Sequence, residues 1–148
     1  MKLDALLCDH AQVSGGKLFI SGANIDRIHV GADAQPPYLI SYAVAGLIHV
    51  PWMATNAEHR LTLSLLTEDG RIPAMGGGPE QGVVPRGLTG EMRFNVGRPP
   101  QLAGGEEQLV PFAFNFVGLP LGELGRFAMV LSLDDEETRR LPFTLLLH

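Results

Sequence analysis

The sequence predicts an all-β protein, a single-domain antiparallel β-sandwich of about eight strands over residues 1–148, with at most a short helical turn near residues 51–58. Three observations carry this expectation. Apolar and polar residues alternate at period two in several segments. Clusters of Gly, Pro, Asp and Asn separate those segments at intervals suited to hairpins. No stretch keeps apolar residues at helical spacing, so parallel strands joined by crossover helices are excluded. Short strands with frequent turns leave the sandwich. A chain of 148 residues is long enough to bury a core without disulfides or metals.

The first strand covers residues 3–13. Leu3, Ala5, Leu7, Ala11 and Val13 share one face, interrupted by Asp9, while Asp4, Leu6, Cys8, His10 and Gln12 share the other. "CDH" sets a thiol, a carboxylate and an imidazole side by side. Cys8 and His10 stand about 6.6 Å apart at the rise of a strand, whereas a nucleophile and its base need contact at about 3 Å. A metal would need further ligands that the sequence does not nominate. Cys8 therefore reads as a small apolar filler and His10 as a half-exposed strand residue. No catalytic residue and no metal site is assigned. Asp9 lies on the apolar face by parity, so it must be hydrogen-bonded near a strand end or sit at a bulge that flips the parity.

"KLFIS" follows "SGG" closely enough to close a hairpin with the first strand. "YLISYAVAGLIHV" (38–50) is apolar on both faces, as a strand covered on both sides reads. "PWMATNAE" suits one helical turn with Pro51 at its first position. In "HRLTLSLLTEDG", Leu61, Leu63 and Leu65 alternate with Arg60, Thr62 and Ser64, and Asp69-Gly70 supplies the turn. "AMGGGPEQGVVPRG" and "GRPPQLAGGEE" are Gly/Pro-rich loops flanked by strands. In "VPFAFNF", Phe112, Phe114 and Phe116 oppose Ala113 and Asn115. At the C-terminal end, Phe127, Met129, Leu131 and Leu133 share a face, as do Leu141, Phe143, Leu145 and Leu147 in the next strand. "DDEET" is the charged turn between them. Pro142 cannot donate to a ladder, so its strand is an edge or turns that position outward.

One constellation invites a ligand. In "HVPWMATNAEH", His49 and His59 bracket a nine-residue connection, and a pocket rimmed by His49, Trp52, Asn56 and His59 would take a metal or a small molecule. The structural alternative has Trp52 plugging the end of the core, Asn56 capping a turn and His59 pinning the loop as a neutral imidazole bonded to backbone.

Composition removes several functions. Lys plus Arg number 11 against 16 Asp plus Glu, a net charge of -5, which opposes phosphate tracking and so nucleic-acid binding. One cysteine excludes an internal disulfide, no run is long enough to span a bilayer, and the N-terminus lacks a signal peptide, so a cytoplasmic location is expected. "GGGPEQG" lacks the Lys-Ser/Thr of a P-loop, no Ser sits in a G-x-S-x-G elbow, and Asp134 to Glu137 lack the alternation of a calcium loop. No cofactor is implied.

Three stretches together, "ALLCDHAQVSGGKLFISGA", "VPWMATNAEHRLTLSLLTEDG" and "FNFVGLPLGELGRFAMVLSLDDEETRRLPFTL", resemble an uncharacterised, largely actinobacterial family of small proteins classed as a domain of unknown function. The resemblance covers most of the chain and implies a compact all-β protein with no established activity. Trp52, Asn56, His59, Asp69 and Gly70 fall in its most recognisable stretch.

Charged residues make up 18 % of the chain and hydrophobic ones 45 %, against roughly 25 % charged in an average soluble domain. Surplus apolar surface points to an interface. The reading is therefore a non-enzymatic interaction or binding module that forms a homodimer or takes a protein partner through the second face of strand 38–50, with Val44 and Ile48 in that interface. The alternative is a small-molecule or metal-dependent function at the His49/His59 end.

Overall fold

The structure is a computed structural model describing residues 1–76 and 87–148. It holds β1 (Lys2–Ser14), β2 (Lys17–Ala23), β3 (Arg27–Val30), β4 (Tyr38–Val50), a 3-10 turn (Trp52–Ala54), β5 (His59–Thr67), β6 (Thr89–Phe94), β7 (Gln108–Leu121), β8 (Gly125–Leu133) and β9 (Glu136–Leu147). The first sheet has the order β2-β1-β4-β7 and the second β3-β9-β8-β5-β6. The all-β expectation holds, with nine strands among the described residues instead of about eight. The strands not named from the sequence are β6 and β3, and β3 is too short at "RIHV" to show a period. It pairs parallel to β9, Arg27 beside Thr144, while every other pair is antiparallel. The expected loop "AMGGGPEQGVVPRG" lies largely in residues 77–86, outside the described residues.

Both sheets supply one core. Leu3 and Leu7 of β1, Tyr42, Val44 and Ile48 of β4, and Phe112 of β7 meet Leu61, Leu63 and Leu65 of β5, Met129 and Leu131 of β8, and Phe143 and Leu145 of β9. Each predicted face of β5, β8 and β9 is buried except at Leu147, where β9 runs out into solvent. Tyr42 shows how the sheets interlock: its hydroxyl donates to Met129 Sδ at 3.1 Å, and its ring lies 5.4 Å from Phe143. Burial pushes the Tyr42 phenol pKa far up, so it stays a neutral donor.

Turn chemistry fixes the hairpins. Gly15 and Gly16 both have positive φ, the two-residue geometry that joins β1 to β2. Asp134 and Asp135 do the same between β8 and β9, with φ of 50° and 69°. The turn is thus only "DD": Glu136 and Glu137 already pair with Leu133 and Ser132, and Thr138 is extruded where the register slips. Pro142 sits opposite Ala128, just before β3 covers β9 from Thr144 onward. Its other side is an open edge, as a residue without an N–H requires.

The first sheet curls, and this resolves "CDH". β1 follows β4 only from Lys2 to Cys8. Beyond that point Ala11 takes its partner from β7: its N–H donates to Asn115 Oδ1 at 3.1 Å, and Asn115 Nδ2 donates to the Ala11 carbonyl at 2.7 Å. The parity of β1 flips in the process. Leu3 and Leu7 face the main core, while Cys8 and Ala11 join Ala43 and Ala45 in a second cluster with Leu6, Leu18 and Ala113. Asp9 is left exposed over Gly22, whose φ is +68° and where a Cβ would lie 2.0 Å from Asp9 Oδ2. Cys8 is fully buried, and its thiol donates to the His10 carbonyl at 3.5 Å. Burial, then the nearby Asp9 charge, pushes the thiol pKa up, the reverse of what a nucleophile needs.

The second face of β4 is therefore covered from within. Ala43 and Ala45 lie under the β1–β2 hairpin, whose close approach their small side chains permit. Val44 and Ile48, expected at an interface, have no exposed surface and belong to the main core. The exposed positions of β4 are Leu39 and Ser41, at the end that β1 does not reach.

Candidate functional site

The end of the molecule holding the predicted ligand residues is built on β4 and β5 and the connection between them. Pro51, in extended conformation, precedes the 3-10 turn instead of opening it. The Thr55 hydroxyl donates back to the Trp52 carbonyl at 2.6 Å, which closes the turn with a side chain that is itself buried. Asn56 follows at φ 60°, a left-handed conformation that asparagine tolerates, and its N–H donates to the Val96 carbonyl at 2.8 Å. Its own side chain is exposed. Asn56 thus bends the chain through its backbone, and the bond it makes here is the backbone N–H to Val96 instead of the expected side-chain cap.

Trp52 does not plug the core. It is half-buried, with the Arg98 guanidinium 3.9 Å above its ring. Arg98 Nε also donates to Thr55 Oγ1 at 2.9 Å. One cation thus stacks on the indole and ties two loops together. Sequence reasoning missed Arg98 because it lies 46 residues away on a Gly/Pro-rich loop, where no period signals contact.

His49 and His59 have separate partners. His49 Nε2 lies 2.7 Å from Asp4 Oδ2, since β1 and β4 place Lys2 and His49 opposite each other. Its Nδ1 lies 3.4 Å from Glu107 Oε2. The two carboxylates flank opposite sides of the ring and do not converge on one point. Among the described residues no group of three His, Cys, Asp or Glu side chains is disposed to hold a metal ion.

His59 is a latch. Its Nε2 lies 2.7 Å from the Ala54 carbonyl and its Nδ1 2.7 Å from Asp134 Oδ2, and Phe94 packs on the ring at 5.6 Å between centroids. Asp134 Oδ1 accepts the Arg60 N–H at 2.9 Å, while Arg60 and Asp135 form an ion pair beside it. A carbonyl and a carboxylate only accept, so the two contacts together favour the cationic imidazole, in which both ring nitrogens donate. Burial disfavours that charge, yet the Ala54 carbonyl and Asp134 outweigh it and raise the His59 pKa above its ordinary 6.5. Asp134 is held below its ordinary 3.8: desolvation opposes the shift, and His59 and the Arg60 N–H overcome it. The expected backbone tie of His59 is present, and a second acceptor biases the ring away from the expected neutral form. The reason is Asp134, brought by a hairpin turn 75 residues away.

The direction of the pH effect follows. A raised His59 pKa contributes stability below pH 6.5 that is lost as the pH rises through the higher folded value. The lowered Asp134 pKa contributes above pH 3.8 and is lost as the pH falls below it. With Asp134 45 % exposed, the pair contributes about 1 kcal/mol or less. Melting curves should show His59→Gln less stable than the parent near pH 6, with the gap narrowing by about pH 9. A gap that widens with alkali would mean the ring is neutral in the fold.

Two grooves lie side by side along the second sheet. One, of about 450 Å³, opens beside β9 between Arg27, Arg126 and Arg140; a neighbour of about 500 Å³ runs along Arg71 and Glu123, whose side chains are paired at 2.7 and 2.9 Å. That pair also holds the Ala74 N–H, which donates to Glu123 at 3.0 Å. No helix among the described residues is long and apolar enough to cross a membrane.

Comparison with known proteins gives one relation. No curated protein and no solved structure matches the chain. A family model described as a family of unknown function matches residues 3–146, nearly the whole sandwich from Leu3 to Leu146, with Trp52, Asn56, His59, Arg98 and Asp134 inside it. The chain belongs to this family of unknown function, DUF6941.

Proposed function

We propose that the protein is a non-enzymatic interaction module that self-associates, and that β2 is the strand through which it does so. The carrying observation is a contrast among the four sheet edges. β3 is four residues long, β6 carries Glu91 and Arg93 on its exposed positions, and β7 contains Pro111, Pro120 and a bulge at Val117-Gly118 opposite Ser41. Shortness, charge, proline and bulges are the devices that keep edges from pairing. β2, "KLFISGA", has seven residues, no proline and one charge, at Lys17. Phe19 is 51 % and Ile20 38 % exposed, on opposite sides of the strand.

A second copy is the occupant this edge suits. Antiparallel pairing of β2 with itself about Ile20 sets each Lys17 opposite an Ala23, so no like charges meet, and a twofold dimer closes on itself. Four strands of each copy would then form one continuous sheet. The low charged fraction supports the same reading, as does the setting we assign it, the cytoplasm, where the single buried cysteine remains a thiol.

Light scattering should give about twice the 16.0 kDa chain mass at micromolar concentration. Ile20→Lys puts two ammonium groups across the axis and should return the protein to a monomer while its melting temperature stays close to that of the parent diluted to monomer. Wild-type protein that remains monomeric at about 100 μM, a thousandfold above a 0.1 μM dissociation constant, would refute the proposal.

A further inference from the structure

We infer that the groove beside β9 is a binding site for a small organic anion, with a phosphate ester as the ligand class. The argument begins with register. Arg126 of β8 pairs with Thr144 of β9, and Arg27 of β3 pairs with the same Thr144 from the other side. Partners opposite one another in a sheet share a face, so Arg27, Thr144 and Arg126 form one row across three strands. All three line a cavity of about 450 Å³, within the size range of small-molecule sites. Arg140 stands two residues before Pro142, whose partner is Ala128, and closes the far corner of the groove.

This concentration of charge is unusual in the chain. Three of its nine arginines line this groove, beside Asp26 and Glu68, although the net charge is -5, and Arg27 joins them because the short parallel strand β3 begins there. The floor between them is the small, nearly buried Ala128 and the ring of Pro142. The site therefore offers guanidinium groups on either side of a hydroxyl, which suits a tetrahedral anion with several oxygens, and an apolar shelf for a compact organic body. Glu68 already occupies part of Arg126, at 3.2 Å, and Glu137 holds Arg140 at 2.7 Å. A ligand phosphate must compete with Glu68, and that competition supplies the test.

Phenyl phosphate, titrated into isotopically labelled full-length protein, should shift the backbone amide signals of Thr144 and Arg126 with a dissociation constant on the order of 1 mM. Arg27→Gln should weaken binding about tenfold or more, since a charge-assisted hydrogen bond is lost. Glu68→Gln, which frees the Arg126 guanidinium, should tighten it. Arg139→Gln, on a position outside the groove, should leave it unchanged. Inorganic phosphate binding as tightly as phenyl phosphate would overturn the apolar shelf and with it the organic ligand. Absence of amide shifts, or binding indifferent to both Arg27→Gln and Glu68→Gln, would overturn the site itself. The oligomeric state does not enter these readouts, because β2 lies in the other sheet.

Discussion

Placing a charge at Val44 should unfold the protein instead of separating two copies of it. Val44 has no exposed surface and sits in the main core opposite β5, β8 and β9. Val44→Asp removes a buried side chain worth about 1.5–3 kcal/mol of apolar burial and adds a carboxylate whose desolvation costs several kcal/mol more. The sum rivals the roughly 5–15 kcal/mol of net stability in a typical domain. Circular dichroism and proton spectra of the variant should show loss of tertiary structure, or the protein should be insoluble. A well-folded monomer would return Val44 to an interface, as the alternation of strand 38–50 alone suggests, and would contradict the observed packing. The comparison with Ile20→Lys is informative because that variant introduces charge on an exposed edge and should stay folded.

Leu131→Ala should lower stability by about 2–5 kcal/mol, the range of large-to-small changes in tightly packed cores. Leu131 is fully buried at the centre of β8, between Leu63 of β5 and Arg139 of β9 in the ladder. Strands on both sides and the facing sheet hold its neighbours in place, which limits collapse into the cavity and favours the upper part of that range. In a domain of this size the melting temperature should fall by on the order of 10 °C. A variant melting within a degree or two of the parent would reverse the faces of β8. Since β8 is the middle strand of the second sheet, that result would also undo the assigned inner faces of β5 and β9.

Much of the fold was legible because strand periodicity is a local signal. A buried strand face must repeat every second residue, so Leu61-Leu63-Leu65 and Phe127-Met129-Leu131 declared themselves without knowledge of their partners. The turns were legible for the same reason: Gly15-Gly16 and Asp134-Asp135 occupy positive φ, and glycine and aspartate are residues that reach it. β3 was not legible, since four residues beside a parallel partner carry no period of their own. The flip of β1 after Cys8 was legible only as one of two readings of Asp9, whose parity on the apolar face called for either a bulge or a hydrogen-bonded carboxylate. It depends on Asn115 replacing a lost backbone partner for Ala11, an event between residues 104 apart in the chain.

The candidate end shows the same division. Trp52, Asn56 and His59 were recognisable as residues with something to hold, and Asn56 does shape a turn. What each holds was decided elsewhere. Arg98 stacks on Trp52, and Asp134, with the Ala54 carbonyl, favours the cationic form of His59.

By itself the sequence determined most of the strands, most of their inner faces and the hairpin turns. The tertiary structure alone decided which apolar faces are covered and which charged groups meet. A strand's two faces look alike in sequence when both are apolar, so only the curl of the first sheet over Ala43 and Ala45 turned an expected interface into interior. Charges carry no period at all. The row Arg27, Thr144, Arg126 exists because three strands distant in the chain came into register, and register is set by packing of the whole sheet, not by any one of its strands.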